Sequence, residues 1–160
     1  MNLTQVEAIQ LFELKKFSAK TASVDFPLQG QGIEIELENE TGRIKFQADV
    51  NRRNEMVNKA TYQLRHNKIF SLRRLDIGGS HKNPPSPAPD PIFEPFANYS
   101  FHFEDHVHFY FEGYGARWAL PLSEISEIGI DISDDLFDKM KKFFDYCSIE
   151  ELRIKKILEL

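Results

Sequence analysis

The sequence predicts an α+β fold in which a curved, mainly antiparallel, barrel-like sheet of about six or seven strands follows one N-terminal helix and precedes two C-terminal helices. Residues 33–38 and 43–50 alternate between apolar and polar side chains, which is typical of half-exposed strands. Residues 101–112 alternate in the same way, with five apolar side chains on one side. Apolar residues at helical spacing occur near both ends of the chain.

The first predicted element is a helix over residues 5–17. Thr4 and Glu7 have the spacing of a capping box, in which each side chain accepts a hydrogen bond from the backbone amide of the other residue. Apolar residues then recur at helical spacing: Val6, Ile9, Leu14 and Phe17.

Five strands are predicted to follow: residues 24–28, 33–38, 43–50, 57–65 and 68–77. Pro27 marks the first of them as a weak or edge strand. The glutamates of the second strand would lie opposite Arg43 and Lys45 of the third, and this pairing of charges supports a hairpin. His66 and Asn67 are typical of a tight turn between the last two strands.

Residues 78–97 are predicted to form a long loop, because six of the eight prolines of the chain lie within residues 84–95. Neither flank of this loop can bury a core alone, so we expect residues 1–160 to form a single domain. The clearest strand follows at residues 101–112, and residues 117–122 return as the last strand. The polar row of the clearest strand is expected to face outward: His102, Glu104, His106, His108, Tyr110 and Glu112.

The C-terminal part is predicted to contain two helices. Ser133 would cap the first, with Asp134 and Asp135 in its first turn, where the helix dipole favours negative charge. Ser148 and Glu151 have the spacing of a second capping box, which would begin the last helix.

The chain has one cysteine, Cys147, which lies in an aromatic-rich helical stretch and is interpreted as a small buried side chain. A single cysteine allows no internal disulfide bond. No apolar run approaches the ~20 residues that a membrane span needs. The N-terminus lacks the pattern of a secretion signal, so we predict a cytoplasmic protein that does not contact membranes.

Charge is distributed unevenly along the chain, whose formal net charge is -5. Residues 51–82 carry 8 basic and 2 acidic side chains, whereas both flanks are acidic. An acidic protein is a poor general DNA binder, because affinity for DNA comes mainly from neutralising its phosphates. The basic middle segment can still hold one phosphate or a short strand.

His106 and His108 are two residues apart on a predicted strand, so they share a face with about 7 Å between them. Two such histidines can act as general acid and general base near neutral pH, with Tyr110 and Glu112 orienting them. Four further residues would hold a phosphate: Lys59, Arg65, Arg74 and His81. This combination predicts a protein that binds phosphate or nucleic acid such as RNA and needs no cofactor. A metal-independent ribonuclease that acts as a toxin is the enzymatic form of this prediction.

The same residues allow alternatives. His106, His108 and Glu112 resemble half of the metal motif of cupin barrels, and His81 is a candidate third ligand. A non-enzymatic interaction protein would instead dock an acidic surface on a basic host protein. The acidic residues in question are Glu34, Glu36, Glu38, Asp134 and Asp135. The polar row also fits a solvated sheet face that binds no ligand.

Five stretches of residues 59–122 form a recognisable pattern. They are Lys59-x-Thr61-Tyr62-Gln63-x-Arg65, Arg74-Leu75-Asp76-Ile77-Gly78-Gly79, His81-x-Asn83-Pro84, His106-x-His108-x-Tyr110-x-Glu112-Gly113-Tyr114-Gly115 and Trp118-Ala119-x-Pro121-Leu122. The pattern resembles a family of uncharacterised bacterial and phage proteins, catalogued as a domain of unknown function. The resemblance implies that these residues belong to one site of a small bacterial or phage-borne protein. It supplies no activity.

Overall fold

The structure is a computed structural model that describes residues 2–20, 23–56 and 58–157. Within these ranges the chain forms two α-helices and twelve strands. The elements, in chain order, are α1 (Gln5–Glu13), β1 (Lys16–Ser18), β2 (Val24–Asp25), β3 (Gly32–Glu38), β4 (Lys45–Asn51), β5 (Ala60–His66), β6 (Phe70–Ile77), β7 (His81–Lys82), β8 (Ser100–Phe101), β9 (His106–Phe111), β10 (Gly115–Pro121), α2 (Leu136–Tyr146), β11 (Ile149–Glu150) and β12 (Ile154–Lys155). Short 3-10 helices lie at Glu94–Phe96, Leu122–Glu124 and Ser126–Ile128.

The predicted α+β fold with a curved sheet is confirmed. Eight of the described strands form one curled sheet in the order β10-β9-β6-β5-β4-β3-β1-β11. Every neighbouring pair is antiparallel except β1 with β11, which are parallel. Two further pairs, β12 with β2 and β7 with β8, lie outside this sheet.

One face of the sheet carries the core. The hydroxyl of Tyr62 on β5 donates to the carbonyl of Leu136 at the start of α2, at 2.7 Å. Met140 and Phe143 of α2 are fully buried. Fully buried residues of β5, β6, β9 and β10 belong to the same cluster: Leu64, Leu75, Val107 and Trp118. Burial of each Leu or Val side chain contributes about 1.5–3 kcal/mol, so this face holds the layers together.

The predicted N-terminal capping box is confirmed, because Thr4 and Glu7 each accept a hydrogen bond from the other's amide at 3.1 Å. The helix ends at Glu13, four residues earlier than predicted. The reason is that residues 16–18 leave the helix and pair as β1 with β3 and β11. Neither described helix is long and apolar enough to cross a membrane.

The prediction of a second C-terminal helix is wrong for the described residues, because the chain forms β11 and β12 there. Ser148 and Glu151 have φ of 58° and 54°, a left-handed conformation that interrupts a helix. Ile149 instead pairs with β1, and Ile154 pairs with β2. Leu158, on the apolar side of the predicted helix, lies outside the described residues.

Several other boundaries differ from the predictions by a few residues, and two of them concern α2 and β5. The first C-terminal helix is α2, and its N-cap is Asp135 rather than Ser133, because the Asp135 carboxylate accepts a hydrogen bond from an amide of the first turn. The strand predicted at residues 57–65 begins at Ala60, and Val57 lies outside the described residues.

The strand predicted at residues 101–112 is divided into β8 and β9, because the chain bends between them. Its polar row does not face solvent throughout, since His106 and His108 are only 0% and 1% exposed. The cause is the β7–β8 pair, in which His81 lies opposite Phe101. The His81 ring packs against both histidines and the Phe101 ring packs against His106, so these rings form a second layer on this face.

Candidate functional site

Two rows of polar residues cross the face of the sheet opposite the core. In register, the rows are His108–Arg74–Gln63 and His106–Asp76–Thr61. They run from β9 through β6 to β5, and alternate residues of each strand share this face. The basic strand β6 therefore pairs directly with the histidine strand β9, and β5 lies one strand further away.

Four of these side chains form a compact group, termed the His–Asp–Arg cluster: Arg74, Asp76, His106 and His108. The Arg74 guanidinium binds the Asp76 carboxylate through Nε to Oδ1 at 2.8 Å and Nη2 to Oδ2 at 2.9 Å. The same Nη2 lies 2.9 Å from Nε2 of His108. Asp76 Oδ2 is 3.2 Å from His108 Nε2 and 3.4 Å from His106 Nε2. One carboxylate oxygen thus faces both imidazoles.

Hydrogen bonds to backbone carbonyls determine which ring nitrogen carries the proton in both imidazoles. His106 Nδ1 lies 2.6 Å from the carbonyl oxygen of Glu104, and His108 Nδ1 lies 2.8 Å from that of Ala116. A carbonyl oxygen only accepts hydrogen bonds, so each Nδ1 carries a proton. In the neutral ring, each Nε2 then carries a lone pair, and both lone pairs are on the side of Asp76.

Lone pairs that face a carboxylate oxygen repel it unless a proton or a cation lies between them. Charge-assisted N–H···O⁻ bonds are about 2.7–2.9 Å long, whereas the two Nε2–Oδ2 distances are 3.2 and 3.4 Å. His106 Nε2 is buried and has no hydrogen-bond partner among the described residues. Ligand atoms of a tetrahedral ion with bonds of about 2.0–2.1 Å lie about 3.3 Å apart. The spacing therefore suits a shared cation.

A second layer covers the cluster. The Phe101 ring stacks on His106 with 4.5 Å between the ring centroids, and the His81 ring lies 4.5 Å from that of His108. These contacts exclude water from the imidazoles and lower the local dielectric, which strengthens electrostatic interactions within the cluster.

Asn83 fastens this layer to the edge strand β10. Its Nδ2 donates to the Ala119 carbonyl at 2.8 Å, and its Oδ1 accepts from the Ala119 amide at 2.9 Å. Nδ2 also donates to the carbonyl of Phe96 at 3.0 Å. Asn83 Oδ1 lies 3.1 Å from His81 Nε2, so the same side chain positions His81 over the cluster.

Burial and neighbouring charge act on the pKa values of the cluster. Burial by itself raises the pKa of Asp76, but the charge and the two hydrogen bonds of the Arg74 guanidinium hold it well below its usual value. Burial lowers the pKa of His108, and the Arg74 guanidinium adds to this effect. Burial and the neighbouring His108 also lower the pKa of His81. An ionised carboxylate beside a neutral imidazole is the protonation state that metal ligands require.

The cluster opens to solvent through a cleft of about 320 Å³, which is lined by Asp76 and Gly79 among other residues. A Cβ atom at Gly79 would lie 3.3 Å from Asp76 Cβ and 3.4 Å from His106 Cε1. Only glycine therefore leaves this approach uncrowded. The cleft gives a ligand or an ion a path from solvent to the partly buried carboxylate of Asp76.

Four of the eight predicted site residues lie together: Arg74, His81, His106 and His108. Lys59 lines the cleft, and its Nζ lies 4.7 Å from the centroid of the Phe103 ring. Five of the eight therefore surround either the cluster or its opening.

The other three predicted site residues have different partners. Arg65 binds the Asp49 carboxylate through two bonds of 2.8 and 3.0 Å. The Tyr110 hydroxyl donates to the Leu3 carbonyl at 2.9 Å and accepts from the Leu3 amide at 3.0 Å. The side chain of Glu112 is exposed.

Asp76 is the central residue of the cluster, and the sequence placed it in the site only through the family resemblance, without a chemical role. Its position two residues after Arg74 places both side chains on one face of β6, and this alternation is the sequence signal that links the carboxylate to Arg74. Phe101 was missed, and Asn83 was placed in the site only by the resemblance, because neither residue type indicates a site by itself and the partner of Asn83 on β10 is 36 positions away.

Most acidic residues of the interaction hypothesis are paired with lysines. The pairs are Glu36–Lys68 at 3.7 Å, Glu38–Lys45 at 2.7 Å, Asp134–Lys142 at 2.6 Å and Asp135–Lys156 at 2.8 Å. This pairing reduces the negative charge that the surface offers to a basic partner.

Comparison with known proteins identifies a family but no activity. Residues 3–149 match the model of a family described as a family of unknown function (DUF6978). The chain therefore belongs to this family, in agreement with its resemblance to an uncharacterised family. No curated protein and no solved structure matches the chain.

Proposed function

We propose that this protein binds one divalent transition-metal ion through Asp76, His106 and His108. The observation that carries the proposal is the convergence of both imidazole Nε2 atoms on one Asp76 oxygen, at 3.4 and 3.2 Å. Candidate ligand atoms of the three residues all lie within 4.8 Å of one another. Two imidazoles and one carboxylate suit zinc, iron or manganese. The Nδ1–carbonyl bonds are the kind of support that orients metal-binding histidines.

A three-residue ligand set has consequences for chemistry. Structural zinc sites usually have four protein ligands, whereas catalytic sites keep a position for water or substrate. Here the exposed side of Asp76 lines the cleft, so the additional position would be reached from there. An ion held by these three residues would activate a bound water molecule or polarise an oxygen atom of a ligand.

Arg74 is the group with which the ion would compete. Its Nη2 lies 2.9 Å from His108 Nε2 and donates to that lone pair. Metal binding requires this Nη2 to move away, while the 2.8 Å bond from Nε to Asp76 Oδ1 can remain. Arg74 then acts as a positioning residue that orients the carboxylate.

The test is metal binding by protein that is produced without a histidine tag and treated with a chelator. We expect one equivalent of Zn²⁺ in calorimetry, and a Co²⁺ absorption spectrum typical of nitrogen and oxygen ligands. Asp76→Asn and His106→Gln are expected to weaken binding by more than about 100-fold, since loss of a ligand exceeds the 10–100-fold effect of losing its support. His102→Gln removes an exposed histidine and should bind like the wild type.

Two outcomes would overturn the proposal. One is that the folded wild-type protein takes up neither ion. The other is that the ion binds only after the substitution Arg74→Gln. In that case the guanidinium itself is the cation of the cluster, and the network is purely structural.

RNA cleavage by His106 and His108 as acid and base ranks below metal binding. Both rings are buried and each Nδ1 is bound to a carbonyl, so an RNA phosphate has little access to them. The double variant His106→Ala, His108→Ala tests this candidate in the presence of chelator. Loss of RNA cleavage would favour it, and an unchanged rate would eliminate it.

A further inference from the structure

The cleft beside the His–Asp–Arg cluster has positively charged walls. Its lining includes Arg53 and Lys59, and neither forms an ion pair within the part of the chain that the structure describes. Asp76 also lines the cleft, but its carboxylate is bound by Arg74. The positive charge of the walls is therefore not neutralised, which favours an anionic ligand.

Neutral side chains of the cleft are arranged as donors. The side-chain oxygens of Asn51 and Asn54 each accept a hydrogen bond from the amide two residues later, at 2.9 Å. Their NH₂ groups are left to donate to a ligand, and the hydroxyls of Thr61 and Ser80 also line the cleft. A phosphate group, which carries several acceptor oxygens, matches a lining that is rich in donors.

Phe103 lies beside this cleft and is 66% exposed. Its φ of 51° is left-handed, a strained conformation for a residue with a bulky side chain. The amide of Phe103 lies 3.4 Å from Ser80 Oγ, and Lys59 Nζ lies 4.7 Å from the ring centroid. Strained residues cluster at binding sites, and an exposed aromatic face stacks on nucleobases.

We infer that the cleft binds a nucleoside phosphate. Arg53 and Lys59 hold the phosphate, and the base stacks on Phe103. The cleft volume of about 320 Å³ lies within the range of small-molecule sites. The inference goes beyond the proposed metal centre and does not require it, because no ligand of the ion is needed to hold the phosphate or the base.

The test is calorimetric titration of the chelator-treated protein with four probes: AMP, inorganic phosphate, adenosine and a short single-stranded RNA. We expect AMP to bind more tightly than phosphate or adenosine alone, because it engages both halves of the site. Tighter binding of RNA than of AMP would identify a nucleic-acid strand as the source of the phosphate. Tighter binding of AMP would identify a free nucleotide.

Substitutions test the phosphate-binding part of the site and the base-stacking part separately. Lys59→Gln and Arg53→Gln are each expected to weaken AMP binding by at least about tenfold, since each removes a charge-assisted bond. Phe103→Ala is expected to reduce the affinity for AMP to that for inorganic phosphate. Lys82→Gln, which removes an exposed lysine on β7, is the control and should bind AMP like the wild type.

Absence of AMP binding by the wild type would overturn the inference. So would AMP affinities that are unchanged in the Lys59, Arg53 and Phe103 variants. Because chelator is present throughout, these outcomes are independent of whether the protein binds a metal ion. The metal titration and the AMP titration can therefore fail separately.

Discussion

Lys16 is a buried cation whose three ammonium protons all have backbone acceptors. Its Nζ lies 2.7 Å from the carbonyl oxygens of Phe12 and Leu14 and 2.8 Å from that of Cys147. The first two carbonyls lie at the end of α1 and the third directly follows α2. One charge therefore satisfies the C-terminal ends of both helices, where the helix dipole favours a cation.

The substitution Lys16→Met is expected to lower the free energy of unfolding by about 2–4 kcal/mol at pH 7, because three carbonyls lose their donor. Urea denaturation followed by the fluorescence of Trp118 measures this change. Lys15→Met removes an exposed lysine and serves as the control. Equal stability of the two variants would show that the buried ammonium contributes nothing.

The stability difference between the wild type and Lys16→Met also depends on pH. Burial lowers the pKa of Lys16 from 10.5 to about 8 in the fold, so between these values the unfolded chain binds more protons. The free energy of unfolding of the wild type therefore rises with pH relative to the variant, by at most about 1.4 kcal/mol per pH unit. Below pH 8 the difference is constant. A constant difference up to pH 10 would contradict the lowered pKa.

Two neighbouring residues show what sequence can predict at this scale. Cys147 was interpreted as a small buried side chain, and it is 0% exposed, with burial raising the pKa of its thiol to about 12. The role of Lys16 could not be predicted, because the pattern placed it within a helix over residues 5–17. One of its acceptors is 131 positions away in sequence.

At the scale of elements, Asn83 takes the place of a strand next to β10. The substitution Asn83→Ala leaves the Ala119 amide and carbonyl without this partner, so we expect a loss of about 2–4 kcal/mol in the free energy of unfolding. Because Asn83 also holds His81, we expect the amide hydrogen of His108 to exchange with solvent faster in this variant than in the wild type. Urea denaturation and hydrogen exchange measure the two effects.

Gln10→Ala is the control for this substitution, because it removes an exposed amide side chain on α1. Wild-type stability in Asn83→Ala would mean that water replaces the side chain without cost. Slow exchange at His108 in a destabilised variant would mean that the second layer does not depend on Asn83.

The alternation of residues 101–112 predicted β structure correctly for β9 but predicted the wrong environment for its polar face. Alternation reports that the two faces of a strand differ, and it does not report what lies on the polar side. Here the polar side is covered by β7 and β8. Strands of two residues carry no periodic signal, so the sequence predicted a loop where β7 lies.

At the scale of the whole molecule, the site depends on the order of strands in the sheet. The resemblance implied one site for residues of β5, β6 and β9, but only the pairing of β6 with β9 brings Arg74 against His108, 34 positions away. Glu112 is six residues after His106, which is about 20 Å along an extended strand. Glu112 therefore cannot join the histidines at one ion, and Asp76 takes that place.

The C-terminal residues 151–157 lie outside the eight-stranded sheet, and the family match ends at residue 149. Here β12 pairs with β2, and the Phe26 amide donates to the Lys155 carbonyl at 2.7 Å. A chain that ends at Glu150 keeps β11, so we expect it to unfold cooperatively with a loss of about 1–3 kcal/mol in the free energy of unfolding.

A chain that ends at Tyr146 is the matched comparison. It lacks β11, which pairs with the edge of β1, and it lacks the Cys147 carbonyl that accepts from Lys16. The buried side chain of Ile149 is also lost. We therefore expect at least about twice the loss of the longer truncation, since an unpaired strand edge and a buried donor are exposed together. Urea denaturation measures the free energy of unfolding of both chains. Equal stability would show that β11 does not stabilise the edge of the sheet.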